Sequence, residues 1–271
     1  MTLRPSRPPA DRQVSNGDIH RCNKNFSAAD FDWIAADLFY RHVLCHKKET
    51  EIRVFLTDPK IREEFREVCR RYGTYISRER SVGSFFVHNP DEFLEVGEKF
   101  NGAADIYAGI FERDKREKGT RGGDVSSITH FLMEFDAHGE DGNIEDAKKL
   151  AHRAIKELEE KYGQLEWILF FSGHGYRLYI PIDPIDVKYV EEWKFFSKSW
   201  CRRIGREGNA KADEGIYDLA RIMRVPGTLN VKNPDNPIQT KLVDCSMGYA
   251  DRRKNNQKIA SDIKKPQNKG E

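Results

Sequence analysis

Apolar and polar positions along this chain follow two periods, one typical of helices and one typical of strands. Between positions 31 and 43, apolar residues recur at helical spacing over about four turns, and Ser27 and Asp30 are suitable N-caps. Further helices are predicted at 61–72, 91–100, 144–162 and 189–204, and strands at 51–55, 82–87, 104–111, 128–136, 167–171 and 176–180. This alternation predicts a mixed α/β fold.

The two ends of the chain lack such a pattern. Residues 1–25 contain three prolines and few apolar residues, and residues 251–271 are still poorer in apolar residues. Segments of this kind bury too little apolar surface to offset the conformational entropy lost on ordering. We therefore expect a flexible N-terminal segment over 1–25, one folded domain over 26–250 and a basic flexible tail over 251–271.

The distribution of charge along the chain says more about binding partners than the total charge does. The sequence has 46 Lys and Arg and 44 Asp and Glu residues, so its total charge does not by itself indicate a nucleic-acid partner. Both ends are basic, however, and the acidic excess lies within 26–250. No apolar run reaches the roughly 18–20 residues of a membrane span and no signal core follows Met1, so we expect a cytoplasmic protein without a membrane partner.

Two acids interrupt the otherwise apolar strand predicted at 128–136. Glu134 and Asp136 are two positions apart, and the alternation of a strand places both carboxylates on one face. Neighbouring carboxylates repel each other unless a cation lies between them, and Mg²⁺ or Mn²⁺ takes such oxygen ligands. Taken alone, the pair is equally typical of an edge strand whose acids face water.

A turn of small residues separates the strands predicted at 167–171 and 176–180. It consists of Ser172, Gly173, His174 and Gly175, and Arg177 follows it. Small residues let backbone N–H groups approach an anion, and the three polar side chains would add donors for a phosphate. By itself the turn is more typical of a plain hairpin.

The segment 211–232 brings acids and bases together. A short helix is predicted from Asp218, its N-cap, to the residue before Pro226. Arg221, Arg224 and Lys232 would project from this helix–turn unit, and Asp213 lies just upstream. One segment would thus supply cations for a phosphate and a carboxylate for a metal, although on its own it is more typical of a charged surface helix.

In this order, the three segments resemble the archaeo-eukaryotic primase (AEP) superfamily, especially the primase–polymerases of plasmids and phages. In that superfamily an acid-x-acid strand end supplies two metal ligands and a glycine-rich turn holds the triphosphate. A later Asp supplies the third ligand, and a D-x-x-R-x-x-R-x-P-G-[ST]-x-[NH] segment follows it. The resemblance covers about residues 104–232, and it implies the AEP fold: an N-terminal α/β unit packed on an RRM-like sheet unit, with the active site in the cleft between them.

The implied activity is template-directed nucleotidyl transfer, as a DNA primase or DNA polymerase in plasmid, phage or mobile-element replication, with two Mg²⁺ or Mn²⁺ ions. The implied catalytic residues and metal ligands are Glu134, Asp136 and Asp213. The implied nucleotide-binding residues are Ser172, Gly173, His174, Arg177, Arg221, Arg224 and Asn230, and the implied template-binding residues are Arg113, Lys115, Arg116 and Arg121. A DNA template, nucleoside triphosphates and a helicase of the same replicon are the implied partners, and we expect a monomer.

Two positions depart from the superfamily pattern. Glu134 stands where most members have Asp, which keeps an oxygen ligand but moves it by one methylene. Arg177 stands where members have a nucleotide-contacting His. Its longer side chain would change the pose of the triphosphate, and His174 is an alternative contact.

Other functions share some of these features. A replication initiator or accessory subunit would keep the fold with weakened catalysis, and a metal nuclease would need the acids but no triphosphate turn. The PCxxC motif of a zinc deaminase is absent. We also expect no zinc and no disulfide framework, because the candidate zinc ligands and the five cysteines show no regular spacing; the candidates are His20, Cys22, His42, Cys45, His46 and Cys69.

Overall fold

The computed structural model describes residues 31–44, 49–57, 75–77, 82–113, 122–137, 143–215, 217–248 and 250–265. Within these ranges the helices are α1 (Trp33–Phe39), α2 (Pro90–Phe100), α3 (Ile144–Tyr162), α4 (Val190–Ile204) and α5 (Ala250–Ile263), with a π-helical turn at Tyr40–Leu44 and 3₁₀ turns at Gly122–Asp124 and Val187–Tyr189. The strands are β1 (Thr50–Leu56), β2 (Tyr75–Ser77), β3 (Val82–Val87), β4 (Ala104–Gly109), β5 (Glu112–Arg113), β6 (Val125–Ala137), β7 (Trp167–Phe171), β8 (Gly175–Asp186), β9 (Arg206–Glu207), β10 (Ala210–Ala212), β11 (Ile222–Arg224), β12 (Leu229–Asn230), β13 (Ile238–Gln239) and β14 (Lys241–Ser246).

Two antiparallel sheets frame the fold. The first sheet has the strand order β11-β4-β1-β3-β2, and the second has the order β14-β7-β8-β6-β10-β9 with β5 beside β6. Most of the first sheet comes from residues before position 110, whereas β11 joins it from much later in the chain. A short ribbon of β12 and β13 follows β11. The predicted mixed α/β class is confirmed.

The second sheet is apolar on both faces because both faces are covered. On one face Phe131 packs edge-on against Phe196 of α4, at a ring separation of 5.4 Å. On the other face Phe170 and Tyr179 pack against Phe39 of α1. This double coverage explains why β6 reads as a nearly continuous apolar run, and it makes the two acids near the end of β6 conspicuous.

Several predicted elements are confirmed with nearly the predicted limits. They are α2, α3, α4, β1, β3 and β7, and β6 is a longer version of the predicted strand. The first helix is also present, but its N-cap is Asp32, whose carboxylate accepts hydrogen bonds from the N–H groups of Ile34 and Ala35. The predicted caps Ser27 and Asp30, the helix predicted at 61–72 and the segment 1–25 lie outside the described residues.

The helix predicted after Asp218 is wrong. Residues Ile222–Arg224 form β11 instead, pairing antiparallel with β4 so that Arg224 lies opposite Tyr107. Only a turn remains at Asp218, whose carbonyl oxygen accepts from the N–H of Arg221. The open edge of β4 offers this segment backbone partners, and such non-local pairing overrides a short helical signal.

The flexible tail predicted over 251–271 is also wrong for most of its length, because Ala250–Ile263 form α5. The helix buries Asn256, Ile259, Ala260 and Ile263. Asn256 anchors it: its Oδ1 accepts from the N–H of Glu166, and its Nδ2 donates to the carbonyl oxygens of Glu166 and Pro181. Few apolar residues suffice because this buried amide pairs with backbone groups of Glu166, just before β7, and of Pro181, within β8.

Candidate active site

Two neighbouring strands bring the predicted acids together. Glu134 and Asp136 lie two positions apart near the end of β6, and β10 pairs with β6 so that Ala212 faces Phe135. The next residue, Asp213, therefore continues alongside Glu134, and its N–H donates to the Glu134 carbonyl oxygen at 2.9 Å. One oxygen from each of the three carboxylates lies within 4.8 Å of the others. The predicted grouping of Glu134, Asp136 and Asp213 is thus present in the structure.

Arg177 belongs to this acidic group through Glu134. The ladder between β6 and β8 places the two residues directly opposite each other. The Arg177 Nε donates to Glu134 Oε1 at 2.7 Å, and Nη2 donates to the same oxygen. Burial acts to lower the pKa of Arg177, but the charge of Glu134 and the hydrogen bond outweigh it and raise that pKa, so the guanidinium keeps its proton.

The turn before β8 is held in a conformation that requires glycine. Gly173 has φ +100°, and a Cβ there would lie 2.6 Å from Nδ2 of Asn230. Asn230 in turn donates to the carbonyl oxygen of Ser172 at 3.1 Å, while the Ser172 hydroxyl donates to the carbonyl oxygen of Gly175. Ser172 and Asn230 therefore shape this turn through hydrogen bonds inside the protein.

A buried ion pair forms part of the first sheet facing the acids. Arg224 of β11 pairs through Nη1 with Asp105 of β4, and its Nη2 donates to the Tyr107 hydroxyl at 2.8 Å. The Arg224 guanidinium also lies 4.8 Å from the centre of the Tyr107 ring. The same Asp105 oxygen accepts from the N–H of Val231. These contacts fix Arg224 at the floor of the space between the sheets.

That space is a cleft of about 290 Å³ between the two sheets. Its lining residues are Tyr107, Glu134, Asp136, Ala137, Ser172, His174, Arg177, Arg224, Asn230 and Lys232. The second sheet supplies the acids, while Arg224, Lys232 and the turn residue His174 supply basic groups. The cleft is therefore acidic on one side and basic on the other.

The basic side affects the titration of His174. Partial burial lowers the pKa of His174 below its ordinary value, and the positive charges of Lys232 and Arg224 lower it further. The imidazole is consequently neutral at pH 7. An anion bound between these three groups would remove this repulsion and favour the protonated imidazole.

Not every predicted site residue reaches the cleft. Arg221 donates to the carbonyl oxygen of Gly215 and pairs with Asp218, so its visible role is to support the loop after Asp213. Arg113, predicted to contact template from a loop, is instead buried in β5 and paired with Glu51 at 3.1 Å. A buried, paired side chain cannot contact a template, so we no longer assign Arg113 to template binding. The other template candidates lie outside the described residues; they are Lys115, Arg116 and Arg121.

Sequence reasoning missed one side chain of the cleft, Tyr107, as a contributor to the site. Tyr107 looks like an ordinary strand residue. The alternation of β4 was the available signal for Tyr107, since it places Tyr107 on the same face as Asp105. Only the tertiary structure places Tyr107 in the cleft with the acids, where its hydroxyl accepts from Arg224 of β11.

The zinc expectation is only partly covered by the structure. Of its candidate ligands, His42 alone lies in the described residues, in the π-helical turn after α1. Cys201 is buried and Cys245 is exposed.

None of the helices in the described part of the chain has the length and apolar character needed to cross a membrane.

No protein-family model matches the sequence, and no curated protein matches it either. Among solved structures, the chain is similar to the AEP domain of the primase–polymerase of cyanophage S-2L. The two are 13% identical, the match covers 80% of this chain and 92% of that one, and the TM-score is 0.45. The chain is also similar to the polymerase domain of Mycobacterium tuberculosis Ligase D, solved in complex with DNA. That match has 13% identity, covers 75% of this chain and 76% of the other, and has a TM-score of 0.47. Similarity to structures at such low sequence identity indicates the fold alone. A function therefore has to be argued from the residues of the site.

Proposed function

We propose that this chain is a metal-dependent nucleotidyltransferase of the primase–polymerase kind, which joins a nucleotide to a 3′-hydroxyl on a DNA template. One observation carries the proposal: three carboxylates with ligand oxygens within 4.8 Å of one another lie beside a cleft whose other side is basic. A nucleoside triphosphate bound with divalent cations has matching charges. The sequence resemblance adds the replication of a plasmid, phage or mobile element, with a helicase as partner.

The donor set fits a divalent cation. Glu134, Asp136 and Asp213 supply only carboxylate oxygens, which suit Mg²⁺ or Mn²⁺. Arg177 provides a single positive charge against three negative ones, so the group retains a net charge of about −2. A bound cation would lower the pKa of the attacking hydroxyl and offset the charge that develops on the phosphate.

The basic side of the cleft would bind and orient the triphosphate. Arg224 is held rigidly by Asp105 and Tyr107, so its guanidinium is in place before any ligand binds. Lys232 is exposed and His174 belongs to the turn, so both are accessible to phosphate oxygens. Preorganised donors of this kind stabilise the charge of a phosphoryl transition state because they need little rearrangement.

The decisive experiment measures nucleotide incorporation on a primed and an unprimed DNA template with Mn²⁺. Asp213→Asn should reduce incorporation by at least about 100-fold, since it removes one charge from the metal ligands. Glu214→Gln is the matched control, because Glu214 is the next residue and its carboxylate pairs with Arg202 outside the cluster. Equal incorporation by the Asp213→Asn variant and the wild type would refute the metal role. DNA binding by the wild type without metal-dependent nucleotide affinity would instead favour an initiator or accessory subunit.

A further inference from the structure

A positively charged side chain, Arg177, lies within the proposed metal site. We infer that Arg177 is a fixed counter-cation of Glu134, so that before a nucleotide arrives a divalent ion is held by Asp136 and Asp213 and not by all three acids. This inference rests on the proposed function and deepens it, because it assigns Arg177 to the metal half of the cleft.

The strand register makes the pairing of Arg177 and Glu134 a property of the fold. The two residues are direct partners across the β6/β8 ladder, and their side chains share one face of the sheet. Two of the guanidinium nitrogens donate to the same carboxylate oxygen, Oε1. A hydrogen bond between a charged donor and a carboxylate is strong, and the sheet holds both backbones in place.

Aromatic side chains lie beside Arg177 on the side away from the acids. On the same face Tyr179 follows it along β8, and Phe170 lies opposite it on β7. Both aromatic residues are buried against Phe39 of α1. The side chains of Arg177 and Glu134 are only 16% and 8% exposed, so the guanidinium lies between an apolar floor and the acids.

One nitrogen of this guanidinium remains available to a ligand. Arg177 Nη1 is buried and has no hydrogen-bond partner among the described residues. Arg177 also lines the cleft. A phosphate oxygen could therefore accept from Nη1 while Nε and Nη2 stay on Glu134, which would let Arg177 contact the nucleotide without leaving its partner.

The test measures Mn²⁺ affinity of the full chain, without nucleotide, from the electron paramagnetic resonance signal of free Mn²⁺. Arg177→Gln should bind Mn²⁺ at least about tenfold more tightly than the wild type, because it releases Glu134 and removes a positive charge. The Glu134→Gln/Arg177→Gln double variant should return to within about threefold of the wild type, since it removes a pair of zero net charge.

The double variant decides between the two arrangements. If Glu134 is a metal ligand in the wild type, the double variant will bind Mn²⁺ at least about tenfold more weakly, and the inference is overturned. It is equally overturned if Arg177→Gln binds Mn²⁺ no more tightly than the wild type. The increase in melting temperature on adding Mn²⁺ gives a second readout, which should be larger for Arg177→Gln than for the wild type.

Two further variants separate this inference from the proposed function. Asp136→Asn and Asp213→Asn should each weaken Mn²⁺ binding in the wild-type background and in the Arg177→Gln background. If both leave Mn²⁺ affinity unchanged, the metal site itself is wrong and the proposed function fails with it. If both weaken binding but Arg177→Gln does not strengthen it, only the role given to Arg177 is wrong.

Discussion

Gly175 lies directly opposite Asp136 in the ladder between β6 and β8, and no side chain fits there. A Cβ at Gly175 would collide with Asp136 Oδ1 and with the carbonyl oxygen of Phe135. The glycine thus lets the turn approach the end of β6 closely, and it sets the position of one of the three carboxylates.

We expect Gly175→Ala to displace the end of β6 together with the Asp136 carboxylate, because one of the clashing atoms is the backbone carbonyl oxygen of Phe135. A shift of about 1 Å at a catalytic group can cost about 100-fold in rate, so nucleotide incorporation should fall by about this factor. Gly123→Ala is the control, because a Cβ at Gly123 would have no atom within 4 Å. Similar incorporation by the two variants would show that the contact between Gly175 and Asp136 does not matter.

The Asp105–Arg224 pair should be costly to break. Both side chains are buried, and Asp105 also accepts from the N–H of Val231. Asp105→Asn would leave a buried guanidinium without its counter-charge, which typically costs about 3–5 kcal/mol in the free energy of unfolding. Urea denaturation measures this change. Glu160→Gln, which breaks an exposed pair with Lys156, should change the free energy of unfolding by less than about 0.5 kcal/mol.

The pKa of His174 should be measurably depressed. Partial burial and the charges of Lys232 and Arg224 lower it from its ordinary value of 6.5, so an NMR titration of the imidazole should give a lower value. Lys232→Gln should move the pKa back toward 6.5, whereas Lys188→Gln, beyond the far end of β8, should not. Inorganic triphosphate bound in the cleft should raise it. A pKa of 6.5 or above in the wild type without ligand would contradict the placing of these groups.

The same depression fixes the sign of the effect of His174 on stability. A histidine with a lowered pKa in the folded state binds its proton more readily in the unfolded chain. Its contribution to the free energy of unfolding is therefore complete above pH 6.5 and falls as the pH drops through that value. His174→Gln should flatten this part of the stability curve between pH 7 and pH 5.

Asn256 should be essential to the docking of α5. Its side-chain amide makes three hydrogen bonds to backbone groups, and the residue is fully buried. Asn256→Ala would leave these groups unsatisfied, which we expect to cost about 2–4 kcal/mol in the free energy of unfolding. Gln257→Ala, at an exposed position on the same helix, is the matched control. Equal free energies of unfolding for the two variants would mean that α5 is not docked as the structure shows.

Several parts of the fold and site follow from local pattern. The strong periodicity of residues 144–162 predicts α3 with its observed limits, and the small residues at 172–175 predict the turn. Glu134 and Asp136 were expected on one face because a strand alternates. These features depend on residues close in sequence, so their signals are complete within a short window.

Other parts depend on partners far away in the sequence. Residues 222–224 follow a suitable N-cap and were expected in a helix, yet they form a strand because β4 offers them an open edge. Asn256 is a polar residue in a polar segment, and it is buried because Glu166 and Pro181 present backbone groups to it. In the sequence Arg113 belongs to a basic run typical of a loop. In the structure it is buried, and it pairs there with Glu51.

By itself the sequence determined which chemistry is available: three carboxylates, a glycine-rich turn and several cations in a recognisable order. It could not determine how these charges pair. Tertiary structure decided that Arg177 faces Glu134, that Arg224 faces Asp105, and that His174 and Lys232 complete the basic side of the cleft. The reason is physical: the strength of an ion pair depends on distance and on exclusion from water, and both are set by the register of strands that meet only in the folded chain.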